Sequence, residues 1–256
     1  YGSRLVPMPA QSEYKAIELI EVGGLYDKSI NKDEAERVLE LLLEIGDRKQ
    51  EVGGKRQEEV DGNREMSEGN GRESLDENTQ TPKYNYQPKH KINPNTQTPK
   101  NKVPSVGVAT FNLHQRNYIL ERLQELKLAD EVAAGKILAL ERAGLFVKNL
   151  ENVQGDERDV IIISTTFGRR EDGRFLQAFG PINQAKGYKL LNVIVTRAKQ
   201  KVYVVTSIPS EFYNQYSIQM EERGNSGRTC LYAYISYAKA LTTGNEELKE
   251  SILEAL

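Results

Sequence analysis

The sequence predicts an α/β protein: a parallel sheet with helices packed on both faces. Three observations point there. Several short runs are apolar throughout instead of alternating, as strands covered on both faces must be. Segments with apolar residues at helical spacing separate those runs. The 256 residues, 38% of them hydrophobic, are enough to bury one sizeable core.

The elements follow in chain order. KAIELIEV, residues 15–22, reads as a strand. Residues 31–46 place Ala35, Val38, Leu39, Leu42, Leu43 and Ile45 at helical spacing, with Asn31 or Asp33 as N-cap and Gly46 as terminator. Residues 47–103 are rich in Gly, Glu, Asn, Lys, Gln and Pro and nearly free of apolar side chains; NTQTPK occurs there twice, at 78–83 and 95–100. Such a stretch cannot bury enough surface to offset its ordering entropy, so a disordered low-complexity insert, dispensable for folding, is expected. Order resumes with SVGVATF, a strand over 105–111. An amphipathic helix over 112–126 turns Ile119, Leu120, Leu123 and Leu126 inward, and a second helix spans 130–144 despite Gly135. LFVKNL (145–150) and DVIIIST (159–165) are strands, followed by a Gly- and Arg-bearing loop over 167–187. YKLLNVIVTRAK, 188–199, is a helix by length and position although Val193, Ile194 and Val195 are β-branched, and QKVYVVTS, 200–207, is the last strand. The expected organisation is one domain from 1–46 and 104–210, the insert 47–103, and a helical tail over 211–256.

Composition excludes several classes. With 35 Lys+Arg against 37 Asp+Glu the net charge is −2, so any nucleic-acid contact must be a local surface. One cysteine, Cys230, rules out an intramolecular disulfide framework and suits a reducing compartment; a cytoplasmic setting is expected. One cysteine and two histidines, His90 and His114, argue against a structural zinc site. There is no apolar run long enough to span a bilayer, and no membrane partner is expected. The chain opens on Tyr1 and reads as a fragment or a processed product.

Three polar clusters sit beside apolar elements: ATFNLHQR (109–116), ENVQGDERD (151–159) and LNVIVTRAK (191–199). Each has a plain local reading. Arg197 suits the C-terminal end of a helix, Arg116 a solvated helix face, and Gln154–Asp159 a polar turn in which Asp159 caps or pairs with Arg158. Cys230 reads as a small hydrophobe, and Tyr232, Tyr234 and Tyr237 as packing residues.

Taken together and in this order, the clusters resemble motifs IV, V and VI of superfamily 1 helicases, in the branch of the nonsense-mediated-decay helicase and the Dna2-type enzymes. VQGDERDVIII is similar to that family's Gln-Gly-x-Glu-x-Asp turn before a strand, and LNVIVTRAK to its Leu-Asn-Val-x-x-Thr-Arg-Ala-Lys helix. FGPINQAKG resembles the segment between those motifs, and GLYDKSINKDEAERVLELL the lead-in to motif IV. The resemblance implies a three-layer RecA-like fold of the P-loop NTPase type. It implies the second motor domain of an ATP-dependent helicase, forming one wall of an ATP site. Arg197 and Arg116 would meet the γ-phosphate, Arg197 as arginine finger; Glu157 would bind the ribose; Gln154 would lie between nucleotide and nucleic acid; Gly155 would allow close backbone approach. Thr110, Asn112 and Asn152 would contact a single strand of DNA or RNA. The sequence has no Gly-x-x-x-x-Gly-Lys-Ser/Thr and no Asp-Glu strand end; AAGKIL (133–138) has only the Gly-Lys pair. ATP and Mg²⁺ would therefore require an N-terminal RecA-like domain, with Mg²⁺ held there. A non-catalytic nucleic-acid- or protein-binding module is the competing expectation; a nuclease is disfavoured, since no Asp…Glu-x-Lys arrangement stands out.

Overall fold

The computed structural model describes residues 15–47, 103–184, 186–224 and 226–255. The expected insert, apart from its end residues Asp47 and Val103, lies outside the described residues. Five strands form one sheet: β1 (Ile17–Glu21), β2 (Val106–Thr110), β3 (Phe146–Asn149), β4 (Arg158–Ser164) and β5 (Ala198–Thr206). They lie in the order β1-β5-β4-β2-β3, and every neighbouring pair is parallel. The expected α/β class and two-faced sheet are what the chain adopts.

Period-two alternation assigns each strand residue to a face. Ile161, Ile163, Val202 and Val204 enter one core layer, and Val160, Ile162, Tyr203 and Val205 the other. The second layer is closed by α1 (Lys32–Asp47), α2 (Leu113–Ala129) and α3 (Glu131–Arg142), through Val38, Leu42, Ile119, Leu123, Ile137 and Leu140. The first layer is closed by α4 (Gly187–Val195), followed after β5 by α5 (Ser210–Tyr213), α6 (Tyr216–Arg223), α7 (Gly227–Thr243) and α8 (Glu246–Ala255). Leu231, Tyr232, Ala233, Ile235 and Ala238 of α7 belong to this core, so the helical tail is part of it. Tyr213 donates a hydrogen bond to Glu21, and Lys239 of α7 contacts the same carboxylate at 3.3 Å, joining the tail to β1.

Local chemistry fixes the ends. Asn31, not Asp33, caps α1: its Oδ1 accepts from Glu34 N at 3.0 Å. Asn112 caps α2, accepting from Gln115 N at 2.8 Å, and Asp130 caps α3 through Val132 N and Ala133 N. α4 is shorter than expected. It ends at Val195, and the strand starts at Ala198, because Ala198 pairs with Arg158 at the start of β4. Lys199, expected on the helix, is a strand residue.

Two helix starts are packed unusually close. A Cβ built on Gly187, the first residue of α4, would lie 1.8 Å from Ile182 O; one built on Gly227, the first of α7, would lie 2.0 Å from the same oxygen. Ile182 is fully buried in the 3₁₀ turn Gly180–Asn183.

Candidate functional site

Parallel strands give the sheet two chemically different ends, and the predicted residues divide between them. At the amino end, the turn before β4 meets the turn before β5. Arg158 N donates to Arg197 O at 3.0 Å, and Arg197 Nη1 stands 3.9 Å from Glu157 Oε1. The Arg197 side chain is 22% exposed and is held from behind: Nε donates to Val193 O at 2.9 Å and Nη2 to Thr196 Oγ1 at 3.1 Å. Glu157 is 54% exposed, and Gln154 and Gly155 beside it are also exposed. Gly155 adopts φ +89° with open space around its absent Cβ, so a left-handed backbone explains the glycine; nothing approaches it closely. Asp156 pairs with Lys148 at 2.6 Å, and Asp159 accepts from Ser105 N and Oγ at 2.9 and 2.8 Å. The Lys148 hydrogen bond holds the Asp156 carboxyl below the usual carboxylate range.

At the carboxyl end stand Asn149, Thr110, Ser164 and Val205, aligned across β3, β2, β4 and β5. Thr110 is fully buried and donates to Asn112 O at 2.8 Å. Asn112 caps α2 and donates to Ser29 O at 3.0 Å. Asn152 is exposed and donates to Asn149 Oδ1 at 2.5 Å. Arg116, in the first turn of α2, is half-buried and hydrogen-bonds Asn117 Oδ1.

Arg116 and Arg197, assigned together to one γ-phosphate, are not brought together: one follows the carboxyl end of β2 and the other precedes the amino end of β5. The strand between those ends, Arg158–Ser164, is about 20 Å long at ~3.3 Å per residue. Motif order along the chain carries no information about which sheet end a motif occupies. The Gly135–Lys136 pair lies inside α3, not in a phosphate-cradling loop.

The sequence reading also passed over a buried polar cluster beneath the carboxyl end. Glu34, in the first turn of α1, is fully buried. Its Oε2 accepts from Ser164 Oγ and Thr166 N, both at 2.7 Å; its Oε1 accepts from Ser207 N at 2.7 Å and Thr165 Oγ1 at 3.2 Å. Beside it, the buried Gln115 donates to Asn31 O at 2.9 Å and accepts from Asn31 N at 2.8 Å. Burial pushes the Glu34 carboxyl up to about 7, against the lowering effect of the bonds from Ser164, Thr166 and Ser207. A raised carboxyl value means the folded chain holds a proton that the unfolded chain releases above about 4.5. The group therefore contributes stability below that value, and the contribution is lost as pH rises through 7. A shift of this size corresponds to about 3 kcal/mol. We expect urea unfolding of the chain to show this decline between about pH 5 and pH 8, and Glu34→Gln to flatten it; an identical slope in the variant would exclude Glu34 as its source.

Among the described residues no cluster of three or more acidic, His or Cys side chains could hold a metal ion. Nor is any helix of the described residues long and apolar enough to cross a membrane. The groups at the amino end do fit a nucleotide. A partly exposed guanidinium, braced by two oxygens and only loosely paired, can turn its remaining donors to phosphate, and an exposed carboxylate beside it can accept from ribose hydroxyls.

The parallel five-stranded sheet with helices on both faces is that of an α/β RecA-like protein. A family model described as an AAA domain matches residues 65–208, more than half the chain, and the chain belongs to this family, the C-terminal helicase domain of the Dna2-type group. Over 146 residues the chain is 36% identical to an uncharacterised ATP-dependent helicase of Mycoplasma genitalium, covering 56% of this chain and 12% of that protein. Its homologue in Mycoplasma pneumoniae is 35% identical over the same shares. The chain thus spans 12% of the length of these curated relatives.

Proposed function

We propose that this chain is the second motor domain of an ATP-dependent nucleic-acid helicase or translocase, completing an ATP site with an N-terminal RecA-like domain of the same protein. Arg197 acts as the arginine finger on the γ-phosphate, Glu157 takes the ribose hydroxyls, and Gln154 lies between nucleotide and nucleic acid. Mg²⁺ would be held by the N-terminal domain and would supply charge neutralisation of the phosphates there. The observation that carries the reading is the meeting of Glu157 and Arg197, from two separate motifs, at one end of the sheet. Phosphoryl transfer to water needs positioning and charge neutralisation more than covalent help, and an always-charged planar fork supplies both. The carboxyl end, with Asn112, Asn152 and the buried Thr110 turn, faces the single strand. Arg116, beside Asn112 at that end, is assigned here to a nucleic-acid phosphate, not to the γ-phosphate.

The intact protein is expected to hydrolyse ATP only when single-stranded nucleic acid is added. Turnover would be measured with and without oligothymidylate and oligouridylate. Absent turnover with tight, salt-dependent strand binding would instead favour a non-catalytic module.

A further inference from the structure

The two strand exits that bracket the centre of the carboxyl end are tied to one side chain. Ser164 ends β4 and Ser207 follows β5; Glu34 binds both, together with Thr165 and Thr166. The turn it holds is not one the backbone adopts freely. Thr166 sits at φ +71°, unfavourable for a β-branched residue, and its N–H donates to Glu34 Oε2. Directly after it, Phe167 packs against Tyr26, Phe111 and Phe179, with ring centroids 5.1, 6.4 and 5.3 Å away. On the other side, Ser164 Oγ also receives Gln115 Nε2 at 3.4 Å, which links the cluster to α2 behind its cap Asn112.

We propose that Glu34 is a positioning residue: its carboxylate fixes the exits of β4 and β5 and thereby shapes the carboxyl end of the sheet for the single strand that the motor follows. The inference rests on the motor reading above and adds to it a residue that touches neither ligand. Its chemistry is specific. All four groups reaching the side chain are donors, two of them backbone amides that cannot rotate away. A carboxylate can accept all four; a carboxamide turns an N–H₂ toward two of them and leaves one buried backbone amide, Thr166 N or Ser207 N, unmatched. The strand exit that faces the N–H₂, at Thr166 after β4 or at Ser207 after β5, then has no acceptor to hold it and relaxes without the sheet beneath it being disturbed.

The test uses the intact protein at about pH 8, where the carboxylate is ionised, and titrates ATP hydrolysis with single-stranded oligothymidylate and oligouridylate. In Glu34→Gln the nucleic-acid concentration for half-maximal stimulation is expected to rise roughly tenfold or more, with the KM for ATP and the turnover at saturating strand held near wild type. Ser164→Ala, a small change that removes one of the four donors, is expected to shift it in the same direction by a few-fold, and carries the test if Glu34→Gln does not fold. A role confined to stability would lower the melting temperature without that selective shift. Unchanged half-saturation in folded Glu34→Gln, or in Ser164→Ala where the former is unfolded, overturns the proposal. Strand-stimulated ATP turnover of the wild-type protein is measured in parallel: if it is absent, the motor reading fails; if it is present while the Glu34 and Ser164 variants match wild type, only the positioning role fails.

Discussion

Arg197→Ala should lower the strand-dependent ATP turnover of the intact protein by roughly 10³–10⁵ while leaving the fold intact. The expectation follows from what the side chain does and does not hold. Its Nε and Nη2 bind Val193 O and Thr196 Oγ1, oxygens of the last turn of α4, and its closest approach to Glu157 is 3.9 Å. Loss of those two bonds frays one helix end that water can reach, a cost of about 1 kcal/mol or less. The loss in turnover is of another order, because a charge placed for the transition state is missing. Arg197→Lys should recover little: an ammonium can hold Val193 O or reach a phosphate, but it lacks the planar fork that lets one guanidinium do both. Turnover at saturating ATP and strand, with circular dichroism melts of each variant, checks the expectation; near-wild-type turnover in a folded Arg197→Ala would remove Arg197 from the ATP site.

Gly227→Ala should destabilise the chain by about 3 kcal/mol, a large fraction of a domain's stability. The added methyl would stand 2.0 Å from Ile182 O and 3.1 Å from Gly187 C, both backbone atoms, so no side-chain rotation relieves the clash. α7 would have to move away from α4, loosening the layer in which Tyr232 and Phe179 meet edge to face at 5.7 Å. A displaced α4 also moves Arg197 at its far end, so activity should fall along with the urea midpoint. A loss below about 1 kcal/mol would mean that the two helix starts tolerate separation.

The fold was legible where local chemistry and burial agree. A cap at Asn31 or Asp33, the all-apolar run of β4 and the inward stripe of α2 each follow from a few residues. The end of α4 was not legible, since Val193–Val195 suit a strand as well as a helix and the boundary is set by the pairing of Ala198 with Arg158, about 40 residues back. Glu157 and Arg197 could be named from their motifs, but their meeting depends on sheet order. The separation of Arg116 from them depends on sheet polarity, which motif order does not encode. Glu34 left a signal that went unused. An acidic residue in a first helical turn normally complements the dipole at the surface. Here it falls on the same stripe as Val38, Leu41 and Ile45, all buried, and a carboxyl on an apolar stripe implies a cluster of donors waiting for it.

One pairing has a consequence for how the molecule is made. β1 bonds only to β5 among the described strands, and the Glu18–Lys201 ion pair that spans this seam joins residues 183 apart. At ribosomal speeds of about 5–20 residues per second, β1 leaves the tunnel roughly 10–40 s before its partner exists. During that interval its open backbone is a template for any passing strand, and the defences it carries are the charges of Lys15, Glu18 and Glu21. These three side chains later find partners in Thr242 O, Lys201 and Lys239, so the groups that keep the nascent strand solitary become the clasps that close the finished sheet.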